Sequence, residues 1–147
     1  MKRYNPAALL VLIISFSAYA QSDNPVSSAV RDHVTGRAKN FLLAAEAMPA
    51  EKYGFHPTPE FMSFGRLVTH VVQEDALLCS KISDTLPPAV EHVSDSDPKD
   101  KLVAALKTVT DYCIESLAKA DDSKLGENLT VGTRTETRAA AMVSLAA

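Results

Sequence analysis

Ala47–Ser80 reads AMPAEKYGFHPTPEFMSFGRLVTHVVQEDALLCS. Its first half is a loop, Pro49–Met62, in which Pro57 and Pro59 hold the chain extended, because each proline disfavours the helical region for the residue before it. Its second half is a helix, Phe64–Ile82. Ser63 stands at the N-cap, where its hydroxyl can accept an orphan backbone N–H. Phe64, Leu67, Val68, Val71, Leu78 and Ile82 recur at helical spacing and form the expected core stripe. His70 and Glu74 are four residues apart, so they share one helix face, a turn apart. An imidazole beside a carboxylate suits a metal site or a general base.

The same periodicity extends on both sides of this stretch. A first helix is expected over Ser27–Ala47, with Val30, Val34, Ala38, Phe41, Leu42 and Ala45 on one stripe and Met48-Pro49 as its stop. Pro87-Pro88 and Asp95-Ser96-Asp97 mark the next loop. A third helix then opens with Asp97 as N-cap, Pro98 at the first helical position and Asp100 in the first turn. Leu102, Leu106, Val109, Cys113 and Leu117 line its expected buried face. Asp121–Gly132 reads as loop, and Thr133-x-x-Glu136 as a capping box opening a fourth helix over Thr137–Ala147. Asn128–Val131 is the one run that resembles a strand, and four residues are too short to count. Four helices without alternating strand patterning predict an all-α four-helix bundle. The apolar run TRAAAMVSLAA carries no C-terminal cap or polar tail, so the last helix is expected to be incomplete, as in a truncated chain.

Composition narrows the function. The 147 residues suit one domain, and 46% hydrophobic with 22% charged residues fits an ordinary globule. Lys2-Arg3, the apolar run Ala8–Ser17 and Ala18-Tyr19-Ala20 form a signal peptide over residues 1–20, so the mature domain starts at Gln21 and is periplasmic or secreted. That run is too short to span a bilayer as a mature helix. Losing the two basic residues of the leader takes the formal charge from −3 to −5. An acidic chain with no basic stripe excludes nucleic acid as a partner, and no second hydrophobic segment points to a membrane. The two cysteines, Cys79 and Cys113, either form a disulfide in an oxidising compartment or serve as buried thiols.

Successive helical residues turn by about 100°. His70 therefore falls about 120° to one side of the expected stripe of the second helix, with Glu74 in between, and Cys79 about 60° to the other. The two should face different neighbouring helices. Cys113 is the natural neighbour of Cys79, and a Cys79–Cys113 disulfide is expected. His70 then looks toward helix one or four. His33, on helix one, can approach it, whereas His56 and His92 fall in loops. A lone histidine beside an apolar stripe is commonly structural, and one histidine with one glutamate falls short of the three or four protein ligands of tight zinc.

Asn40–Met48 (NFLLAAEAM), Pro49–Tyr53, Pro57-Thr58-Pro59 and Ser63-Phe64-Gly65-x-Leu67-x-x-His70-Val71 resemble the DinB family of helical bundles, a resemblance that implies a metal-dependent hydrolase. The likeness covers essentially the whole mature chain. It implies an up-down-down-up bundle holding a divalent metal, with His70 as one ligand and a His-x-x-x-His pair on helix four as the other two. This sequence has no such pair, so it departs from the family pattern as a fragment or by loss of ligands. His70, Glu74 and water then predict weak binding of zinc, nickel or a similar cation and no stoichiometric metal. Two readings follow: a hydrolase or transferase acting on a small molecule with His70 as metal ligand, or a non-catalytic exported binding or stress-related module. The short fourth helix also predicts an exposed apolar groove beside helix two and a tendency to form a homodimer.

Overall fold

A computed structural model describes residues 24–147. The expected leader and the start at Gln21 lie outside the described residues. Four helices form: α1 Pro25–Ala47, α2 Phe64–Ser83, α3 Lys99–Leu117 and α4 Arg138–Ala146. A hairpin of β1 Asn128–Val131 and β2 Arg134–Thr137 precedes α4.

Long-range hydrogen bonds at the helix ends fix the directions. Asp122, just after α3, accepts from the backbone N–H of Val26 and Ser27 at the start of α1, each at 2.8 Å. Lys99, at the start of α3, donates to the carbonyls of Glu46 and Met48 at the end of α1, at 2.6 and 2.9 Å. The Gly65 N–H at the start of α2 donates to the Tyr53 carbonyl at 2.7 Å, near the end of α1. Arg138, opening α4, reaches the last carbonyls of α2. The helices therefore run up, down, down, up, and α3 packs on α1 and α2 from one side while α4 packs on both from the other. Each of these side chains bears the charge that complements the helix end it meets.

Two buried clusters fill the bundle. One joins Val34, Cys79, Ile82, Cys113, Leu117, Met142 and Leu145 with Leu129 and Val131 of the hairpin, and is the part α4 covers. The other joins Ala45, Tyr53, Val68, Val72, Val93, Leu102, Leu106 and Val109, at the opposite end. Cys79 and Cys113 are joined as a disulfide with Cα atoms 5.3 Å apart, which resolves the cysteine alternatives in favour of the bond.

Several expectations need correction. Arg134–Thr137 is a strand, not the first turn of a helix. Asn128–Val131 does count as its partner, with Val131 opposite Arg134. Gly132, at φ +59°, opens a two-residue turn whose handedness matches the twist of the strands. Thr137, not Thr133, caps α4, accepting the Ala140 N–H at 3.2 Å. The N-cap of α3 is Pro98, while the Asp97 carboxylate accepts the Ser94 N–H at 2.7 Å. The loop before α2 is not extended: a 3-10 turn forms at Ala50–Lys52 and the Phe61 N–H returns to the Thr58 carbonyl at 3.1 Å. Ser63 caps α2 as expected, through the Arg66 N–H. Next to it, Gly65 lies so close to the backbone that an added Cβ would stand 3.1 Å from the Asp95 carbonyl oxygen, and Phe64 packs edge-on against Tyr53. The Ser63-Phe64-Gly65 motif is thus a docking device for the loop.

The apolar stripe of α2 is also displaced. The buried residues include Val68, Thr69, Val72, Leu78, Cys79 and Ile82, centred on Val72 and Cys79, while Phe64, Leu67 and Val71 are only partly covered. Cys79 is at the centre of the buried face, fully inaccessible, where the spacing had put it on a flank.

Candidate functional site

The uncovered side of α2 forms one wall of a cleft of about 640 Å³. From α2 come Leu67, His70, Val71, Glu74, Asp75 and Leu78, spaced so that they fall on one face of the helix. The other wall is α1, with Arg37, Ala38 and Phe41. Leu106 and Thr110 of α3 form the floor, and Arg134, Ser144 and Ala147 close one end. The apolar arc of α2 is wide enough to serve two purposes. Its Val72–Cys79 half buries against α3, and its Leu67–Val71 half faces the cleft. The groove beside helix two is therefore present, and it is mixed in character: an apolar floor with charged walls.

The structure brings His70 and Glu74 together on the cleft wall. His70 is exposed and Glu74 half-buried. His33 does not join them. It lies with Asp32 and Asn40 along the outer face of α1. His56 and His92 are exposed in loops, and His56 Nδ1 is 2.8 Å from the Phe61 carbonyl.

Sequence reasoning missed three residues of this cleft. Asp75 stands four after Val71 and three before Leu78, so it interrupts the apolar stripe; an acid at that position was the available signal. Its carboxyl is pushed up to about 6, chiefly by burial and further by the charge of Glu74, while Arg37 and His70 pull it back. Arg37 donates through Nη2 to the Leu145 carbonyl near the end of α4. Arg134 reaches the cleft from the inward face of the hairpin, opposite buried Val131. Its signal was hidden because the segment read as helix.

His70 and Glu74 supply two protein ligands where a zinc site takes three or four. Among the described residues no group of three His, Cys, Asp or Glu side chains is placed to hold an ion. No helix among the described residues is long and apolar enough to cross a membrane.

The family model of the DinB superfamily matches residues 34–147. No curated protein and no solved structure matches the chain.

Proposed function

The chain belongs to the DinB superfamily, and from that premise we propose that it is an exported small-molecule-binding bundle whose site is the α1–α2–α3 cleft. The observation that carries this is the half-covered apolar face of α2. A concave site of a few hundred Å³ with an apolar floor and a few polar groups is the usual form of a ligand pocket. Export is supported by the leader pattern and by the Cys79–Cys113 bond, which persists best in an oxidising compartment.

A hydrolase or transferase is the second reading. It is favoured by an acid poised near neutrality, Asp75, beside His70 and Glu74 in one cleft. Zinc or nickel would be held from the α2 side by His70 and Glu74, and weakly, since ligand number governs affinity.

Two measurements test these readings. Amide NMR with a library of small fragments should shift residues 37–41 and 67–78; shifts confined to other surfaces would overturn the cleft as the site. Titration calorimetry with zinc and nickel should give dissociation constants no tighter than micromolar, reduced further by His70→Ala. A tight, stoichiometric site would restore the metalloenzyme reading.

A further inference from the structure

Because α2 and α3 both run down, residues 84–98 must return along the bundle between them. α2 has 20 residues, about 30 Å of helix. A chain advances at most about 3.6 Å per residue, so the return is drawn out rather than coiled. Residues 85–94 form neither helix nor strand. Among the described residues, the only backbone hydrogen bond within residues 86–93 runs from the Val90 N–H to the Pro88 carbonyl at 2.9 Å. The N–H groups of Leu86, Ala89, Glu91, His92 and Val93 donate to nothing else among them. The other two long loops are pinned. In residues 49–63 the N–H groups of Lys52, Tyr53, Phe55 and Phe61 each return to the carbonyl three residues back. In residues 118–127 those of Lys119, Ala120, Lys124, Leu125 and Glu127 do the same. Buried side chains fasten the return at Ile82 and Val93. Between them Thr85 meets the Tyr112 hydroxyl at 2.8 Å, Val90 is half-buried, and Leu86 is 88% exposed. Glu91 and Lys101, 3.4 Å apart, form an exposed pair that adds little.

An endoprotease takes its substrate as an extended, exposed stretch whose backbone groups are free to pair with its own. We propose that residues 84–92 are a processing site: an endoprotease with a small apolar S1 pocket, of the elastase class, hydrolyses the Ala89–Val90 bond, and the product persists as a folded two-chain protein. The side chains select the bond. At Leu86–Pro87 and Pro87–Pro88 a proline ring replaces the leaving N–H. Ala89 is the first small exposed side chain after them, and it suits a small S1 pocket. One water is consumed. Its oxygen joins the Ala89 carbonyl carbon as the C–N bond breaks, and both its protons end on the Val90 nitrogen, leaving a carboxylate and an ammonium group. The pieces stay together. Cys79 precedes the cut and Cys113 follows it, so the disulfide spans it, and α2 and α3 both contribute to each buried cluster.

Limited digestion of the intact, oxidised chain with pancreatic elastase tests this. Ala50–Glu51 and Ala118–Lys119 offer equally small exposed side chains in the pinned loops. Ala89–Val90 should be cut faster than either by about tenfold or more, because the pinned loops must first break hydrogen bonds. The expected product is one band on a non-reducing gel and two on a reducing gel, with a new N-terminus at Val90 and unchanged far-ultraviolet circular dichroism. A glutamate-specific protease should cut first at Glu91–His92, ahead of Glu51, Glu60 and Glu127. Ala89→Glu should slow elastase at this bond by about tenfold or more, since a charge does not fit the small pocket. First cleavage in residues 49–63 or 118–127, equal rates in all three loops, or loss of the helical signal on cleavage overturns the proposal. Resistance of residues 84–92 to both proteases does so too.

Discussion

The C-terminus of α2 and its middle treat charge in opposite ways. At its C-terminus, Arg138 is 2% exposed and engaged through both Nη1 and Nη2, while its Nε has no partner among the described residues. It donates to the carbonyls of Lys81 and Ile82, to both oxygens of Asp84 at 3.2 Å, and to Glu127 at 2.9 Å. The hydrogen bond from Lys124, and after it those from Arg138, hold the Asp84 carboxyl below the ordinary carboxylate range. Midway along α2, the charges of the cleft meet no such partners, and Asp75 is held above that range instead. A buried charge tied to the carbonyls of one helix end and to two carboxylates is costly to unpair and so holds the α2–α4 junction together. A part-buried carboxylate with no ion pair costs stability when ionised and leaves a group for a ligand to satisfy.

The comparison can be broken at either end. The largest effect is expected from the disulfide beneath the Arg138 end. Removing the bond between residues 34 apart should cost about 4 kcal/mol in the chain-entropy model, measured by urea unfolding of Cys79→Ser/Cys113→Ser. A loss under about 1 kcal/mol would mean that the bond does not constrain the unfolded chain. Arg138→Met should come next, at about 2–4 kcal/mol, because two helix-end carbonyls and two carboxylates lose their donor. The half-exposed carboxylates can rehydrate, which keeps the figure below that for a fully buried pair. An unchanged urea midpoint would show that the network is incidental.

At the cleft the sign reverses. The folded Asp75 carboxyl titrates at about 6, above its ordinary value of 3.8. The folded state therefore binds the proton more tightly than the unfolded state, so this group's contribution to stability is fully present below about pH 4 and is lost as pH rises toward about 6. Asp75→Asn should raise stability at pH 7 by about 1–2 kcal/mol and remove that pH dependence. Lower stability at pH 7 in the variant would mean that Asp75 is satisfied after all. The smallest change is expected from His70→Ala, under about 0.5 kcal/mol, because the side chain is exposed and makes no hydrogen bond among the described residues. A larger loss would mark His70 as structural.

The hairpin has a legible sequence signal. Asn128–Val131 and Arg134–Thr137 are two short runs separated by Gly132-Thr133, the spacing of a two-residue turn with glycine first. Thr133-x-x-Glu136 also matches a capping box, and local pattern alone does not arbitrate between a turn and a helix start. Arg138 had no legible signal. An arginine at the start of an apolar helix reads as surface until the C-terminus of α2 is known to lie beside it.

The sequence by itself determined the three long helices, the Ser63 cap, the placement of the two cysteines on facing helices and the family. These depend on periodicity, capping chemistry and residue identity, which act over a few residues. It also put His70 and Glu74 on one face. The tertiary structure alone decided which half of α2's apolar arc is buried. Helical geometry fixes the angle between two side chains on one helix, but the position of the neighbouring helices decides which angle points inward. With α3 against Val72 and Cys79, and α4 covering only the far end of the groove, Leu67 and Val71 became the wall of a cleft rather than the core. The partners of Arg138, Asp75 and Arg134 were settled by the same packing, which brings together groups tens of residues apart in the chain.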